Sequence, residues 1–148
     1  MRLGIALLTL LAAATDPLVS QTIGGVWKPV QVVIDSGANA GRHTTDVQPG
    51  LLVFTKRHYS MMFVQGFKPR AVPSDSATDQ ELGLSFLPFT ANAGTYQRTD
   101  STITFTASVA KHPAVMAGSS FTRQVRLKGD TLWFTGPGFK AVWIRIER

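Results

Sequence analysis

The chain has 148 residues, with 15 Lys and Arg against 9 Asp and Glu, for a formal charge of +6. That length sets a single domain, and the absence of cysteine excludes disulfides, zinc-finger spacings, thiol catalysis and a lipid-modified cysteine after a leader. Charged residues make up 16%, too few for a solvated coiled coil or a disordered tail; the basic residues are scattered with no aromatic-basic RNA-binding motif, so nucleic acid is not an expected partner.

Met1 and Arg2 give a positive start, residues 3–11 are an apolar run broken only by Gly4 and Thr9, and Ala12, Ala13 and Ala14 follow as small residues. Residues 1–14 read as a secretory signal peptide, with Ser20 and Gln21 flanking a second, later cleavage site. The run falls short of the ~20 apolar residues that span a bilayer. The expectation is export to the periplasm or beyond, with no stable membrane insertion once the leader is removed.

Past Gln21 the pattern becomes short β-like runs separated by turn residues. Thirteen valines, 16 threonines and 9 phenylalanines suit half-buried pleated surfaces. The first run is 25–34, followed by a polar segment from Asp35 to Asp46. The second, 50–55, turns at 56–58 into the third, 59–65. There the alternation stops. Pro69, Pro73, Ser74 and Asp75 mark a loop, and Thr78, Asp79, Gln80 and Glu81 fit a helix capping box. Leu82, Leu84, Phe86 and Leu87 follow, and Pro88 ends a short helix.

The fourth run, 93–98, turns at 99–101 into the fifth, 102–110, where Ile103, Phe105, Ala107 and Val109 alternate with Thr102, Thr104, Thr106 and Ser108. A loop of 111–118 leads to the sixth run, 120–128. Gly129 and Asp130 are a two-residue hairpin signal into the seventh, 131–135. Gly136, Pro137 and Gly138 turn the chain into the eighth, 139–147. The fold class is therefore all-β: an eight-stranded antiparallel up-and-down barrel with one short helix between strands three and four. Closure removes the sheet edges. Links at 56–58, 99–101 and 129–130 are short, whereas those at 35–49, 66–92 and 111–119 are long. One end of the barrel is stapled by hairpins and the other is ringed by loops, where sites concentrate.

Several segments carry a resemblance. Gly25, Val26 and Trp27 look like the Gly-x-Trp motif that opens the first lipocalin strand. Residues 50–55 are similar to the second strand of bacterial lipocalin-like domains, and 93–96, after Glu81 and Leu82, to the fourth. Arg123 with 127–132 looks like the sixth and seventh, and 143–145 like the eighth. The chain resembles these lipocalin-like domains over 23–148. The resemblance implies a barrel with an internal cavity and no particular activity. The cysteines common in animal lipocalins, the usual Asp-Gly at 56–58 and the patterns of haem-binding relatives are missing.

The resemblance also implies that Gly25 and Trp27 are structural, Trp27 plugging the closed end beneath an arginine from the last strand, Arg145 or Arg148. Arg123 stands in an apolar register with Phe121, Val125 and Leu127, so period two points it inward. A buried guanidinium needs a partner, and the alternatives are a ligand anion, a protein carboxylate or the open rim. Tyr59 and Phe63, with Met61 and Gln65, form one face of the third run; either a cavity wall or plain core suits them. Phe105 and Trp143 are further candidate wall residues, and Tyr96 either points inward or hydrogen-bonds across a strand. His43, His58 and His112 lie in loops and a turn without metal-site spacing. No Gly-x-Ser-x-Gly elbow occurs, and Asp35, Asp100 and Asp130 read as turn formers. No catalytic residue, metal or cofactor is indicated. The reading is an exported, non-enzymatic barrel that binds a small hydrophobic or amphipathic, acidic molecule. The alternatives are an enzyme using the same cavity, such as an isomerase, cyclase or hydrolase, and an envelope protein-binding module acting through its loops.

Overall fold

The computed structural model describes residues 22–148 apart from Ser119. The leader, 1–14, and both cleavage sites lie outside the described residues. In chain order the elements are β1 (Gly25–Ile34), β2 (His43–Thr44), β3 (Gly50–Phe54), β4 (His58–Val64), α1 (Asp79–Phe86), β5 (Phe89–Arg98), β6 (Thr102–Ala110), a single 3-10 turn (Pro113–Val115), β7 (Phe121–Lys128), β8 (Thr131–Gly136) and β9 (Phe139–Glu147). Every strand pairs antiparallel with its neighbour, and β9 returns to pair with β1. Eight strands thus close a barrel, with the helix between the third and fourth of them. β2 is an addition: β3 covers Gly25–Trp27 on one edge of β1, and β2 covers Val32 and Val33 further along that edge.

Two elements depart from the sequence reading. The β2 pair comes from a tight return in which Ile34 N donates to Arg42 O and Gly41 N to Ile34 O; a two-residue strand carries no periodicity. β5 starts at Phe89 rather than at 93. Gln65 N donates to Pro88 O at 2.7 Å, so pairing resumes as soon as the helix ends, with Val64 opposite Phe89. The helix itself is capped as its residues predict. Thr78 accepts from the Glu81 amide, and Glu81 Oε2 accepts from Thr78 N at 2.8 Å. None of its residues is buried. It is tied down by Lys111, whose ammonium donates to the carbonyls of Phe86, Leu87 and Phe89.

Side chains on the inner face fill the barrel axis. Phe105 is fully buried and sits 4.7 Å from Tyr59, 5.0 Å from Phe121, 6.2 Å from Phe54 and 6.3 Å from Phe134, ring centre to ring centre. Leu52, Ile103 and Leu132 are equally buried beside it. Val109 does not share this face. The β5–β6 register shifts beside Gly94, so Val109 pairs with the outward Ala93 and is exposed. Gly94 allows the shift: a Cβ there would meet Thr106 O at 2.0 Å and Ser108 N at 2.8 Å.

The closed end is organised around Trp27. Its Nε1 donates to Ile23 O at 2.9 Å, and the Arg145 guanidinium lies 4.2 Å from its ring centre. Arg145 also donates to Asp130 Oδ1 at 2.9 Å, to Thr22 O at 2.9 Å and to Gly24 O. Arg148 pairs with the same Asp130 at 3.1 Å rather than stacking on the indole. Gly25 has φ of +118°, and a Cβ would meet Glu147 O at 2.2 Å, so the strand entry demands glycine. The turn residue Asp130 is thereby also the anchor for two arginines.

Candidate functional site

At the other end, β7 keeps the register that its sequence predicts. Thr122, Gln124, Arg126 and Lys128 are exposed, Val125 is buried, and Phe121, Arg123 and Leu127 are half-buried on the inner face. Arg123 pairs with the fully buried Ile103. Its guanidinium carbon is 5.0 Å from the Phe121 ring centre and 5.9 Å from that of Phe139. Gly136 provides the seat: a Cβ there would meet the Phe139 ring at 2.5 Å and Arg123 Nε at 3.0 Å. Arg123 Nη1 donates to Thr122 O at 3.0 Å. Among the described residues that is its hydrogen bond, and no carboxylate lies within ion-pair distance of it. Of five guanidinium donors, the remainder are open to a ligand or water. Burial pulls the group below the usual arginine range, yet arginine stays charged at neutral pH.

The wall beside Arg123 is incomplete. β6 pairs with β7 only over Thr102–Phe105 against Phe121–Gln124, while β6 runs on to Ala110. The Phe105 and Phe121 rings stack beside it, 5.0 Å apart and inclined by 20°. Phe121 and Phe139 were absent from the expected ligand contacts. Phe121 was visible from the same period-two alternation that placed Arg123; Phe139 needed the β8–β9 turn to bring it round.

The other expected contacts distribute differently. Phe63 is half-buried on the inner face, opposite Gly50 near the open end. Tyr59 is buried and its hydroxyl donates to Asn92 Oδ1 at 2.7 Å. Desolvation pushes that hydroxyl up to about 12. Tyr96 donates to Thr55 O at 2.8 Å and packs edge-on against Phe54 at 4.9 Å, so it serves the strand ends. Trp143 is buried against Phe134 at 6.5 Å. For Phe105 the expectation of a cavity wall is corrected: with rings on four sides it is the packing centre of the core. The structure thus brings Arg123 together with Phe121 and Phe139, and keeps Tyr59, Tyr96, Phe105 and Trp143 in the packed body of the barrel.

A concavity lies outside the barrel lumen. About 730 Å³ opens beneath the loop between β4 and α1, bounded by Arg42, Phe67, Arg70, Pro73 and Leu84 among others. The histidines take no part in it, and His43, His58 and His112 are all exposed. Among the described residues no three His, Asp or Glu side chains converge as metal ligands.

No protein-family model matches the chain, and no curated protein matches it in sequence. Among solved structures, a lipocalin-like protein from Bacteroides uniformis is similar, with 15% identity, a TM-score of 0.50, 83% of this chain and 97% of that one covered. An uncharacterized protein from Bacteroides eggerthii is similar at 13% identity and a TM-score of 0.47, covering 82% of this chain and 98% of its own. The first likeness, together with the closed eight-strand barrel, shows a lipocalin-like fold.

Proposed function

We propose that this chain is an exported, non-enzymatic carrier that holds a small amphipathic anion at the open end of its barrel, with Arg123 as the polar anchor. The fold supports small-molecule binding of the lipocalin type, and the leader motif in 1–14 supports export. The observation that carries the reading is the inward guanidinium with no carboxylate among the described residues to neutralise it. A ligand carboxylate supplies what the protein lacks, through short charge-assisted hydrogen bonds. The apolar body of the ligand lies against Phe121 and Phe139, whose rings already flank the guanidinium. Apolar surface removed from water adds ~25 cal/mol per Å². A cation without an adjacent acid orients a ligand but offers no proton-transfer partner, which favours binding over catalysis.

The test is Arg123→Met, which keeps much of the length and removes the charge. Binding of a fluorescent fatty acid should weaken by about 1.5–3 kcal/mol, the range for a hydrogen bond to a charged group, and binding of its methyl ester should change little. Equal affinity of the variant and the parent for the free acid would overturn the assignment.

A further inference from the structure

The loop between β4 and α1 stands off the barrel. With Pro69 and Pro73 it borders a half-open space of about 730 Å³, within the ~300–1,000 Å³ typical of small-molecule sites. Two other segments border it. Arg42, from the return after β1, lays its guanidinium 3.9 Å over the Phe67 ring and so joins two loops that are distant in sequence. On the opposite side, Glu81, Leu84 and Ser85 of α1 line the space with one helix face.

The lining is both apolar and cationic. Phe67, Pro73 and Leu84 supply apolar surface, and Val72 at the lip is 94% exposed. Arg42, Lys68 and Arg70 supply three positive charges. None of them has a carboxylate within ion-pair distance among the described residues. Glu81 is the single acid of the lining, and its carboxylate is engaged at the helix cap by Thr78 N at 2.8 Å and Thr78 Oγ1 at 2.9 Å. Three cations against one acid leave this half-open space net positive, which favours an anion there. Apolar walls around them favour one carried on a compact hydrophobic body.

We infer that the cavity beneath the β4–α1 loop is a second binding site, separate from Arg123, for a small amphipathic anion such as a carboxylate or sulfonate on an aromatic or short aliphatic body. The inference is independent of the barrel-mouth proposal, since neither Arg123, Phe121 nor Phe139 lines this space.

The test titrates the mature chain with anilinonaphthalene sulfonate and follows backbone amide shifts by NMR, with neutral phenylnaphthylamine as control. The sulfonate should shift amides of 66–72 and 84–85. The double variant Lys68→Gln, Arg70→Gln alters two exposed side chains; it should weaken those shifts about tenfold or more in ligand concentration, as expected for loss of charge-assisted bonds. Arg123→Met should leave them unchanged. Shifts confined to 121–123 and 136–139, or no shifts at all, would overturn the inference. So would loop shifts that the double variant retains, or loop shifts that the neutral control reproduces at equal affinity. Loss of the Arg123 response alone refutes only the barrel-mouth proposal.

Discussion

Arg145 and Arg123 both face the inside of this barrel, and they should answer the same substitution in different ways. At the closed end the Arg145 side chain is 8% exposed. It stacks 4.2 Å from the Trp27 ring centre and donates to Asp130, Thr22 O and Gly24 O. The stack is worth ~0.5–2 kcal/mol, and each bond from a charged donor ~1.5–3 kcal/mol. Asp130 is half-exposed and regains water when its partner goes, so its share is discounted. Thr22 is exposed as well, and its carbonyl rehydrates in part. Taking the low end throughout, Arg145→Met should cost about 3 kcal/mol, similar to removing one partner of a buried ion pair. With a urea slope of ~1–3 kcal/mol per M, the unfolding midpoint should fall by about 1 M or more. Arg123→Met removes one bond to Thr122 O and strands no acid. Thr122 is exposed and its carbonyl rehydrates in part, so the loss in stability should stay below about 1.5 kcal/mol, the low end for one bond from a charged donor. Equal losses in the two variants, or an undisturbed midpoint for Arg145→Met, would refute the division between a structural and a ligand-facing arginine.

Burial holds the Tyr59 hydroxyl up to about 12, against an ordinary 10. The folded state keeps this proton where the unfolded chain releases it, so the stability involved is full below pH 10 and declines as pH rises toward 12. Tyr59→Phe should flatten that alkaline decline in urea midpoints, leaving the part due to Tyr96, which burial also raises while Arg98 lowers it; an unchanged slope would show that Tyr59 is not the group responsible. Export predicts that N-terminal sequencing of the mature protein begins between Thr15 and Gln21, and an intact Met1 on a cytosolic protein would count against it.

The strands were legible where alternation is long and both ends carry turn residues. Residues 25–34, 102–110 and 139–147 have the same limits in the structure as in the sequence reading. The capping box was legible because it involves only four consecutive residues, and the inward register of Arg123 because period two needs only β7 itself. Val109 was not. Its local pattern continues the inner face of β6, and what turns it outward is a partner on another strand: Gly94, whose missing side chain admits the β6 backbone.

The distinction between core and site has the same origin. Phe105 reads as any apolar strand residue, and it becomes the centre of the core only because Phe54, Tyr59, Phe121 and Phe134 arrive around it from four other strands. Side-chain volume at the axis is set by those arrivals. The loop cavity lies further still from local signals. Lys68 and Arg70 stand out as charges near the open end, but a charge becomes part of a site only when something encloses it. Here the borders come from Arg42 reaching Phe67 across two loops and from one face of the helix. An eight-stranded barrel whose interior is filled by its own aromatic residues has little room for a ligand at its centre. Both proposed sites therefore lie toward the open end, among the long loops and arginines that have no carboxylate partner among the described residues.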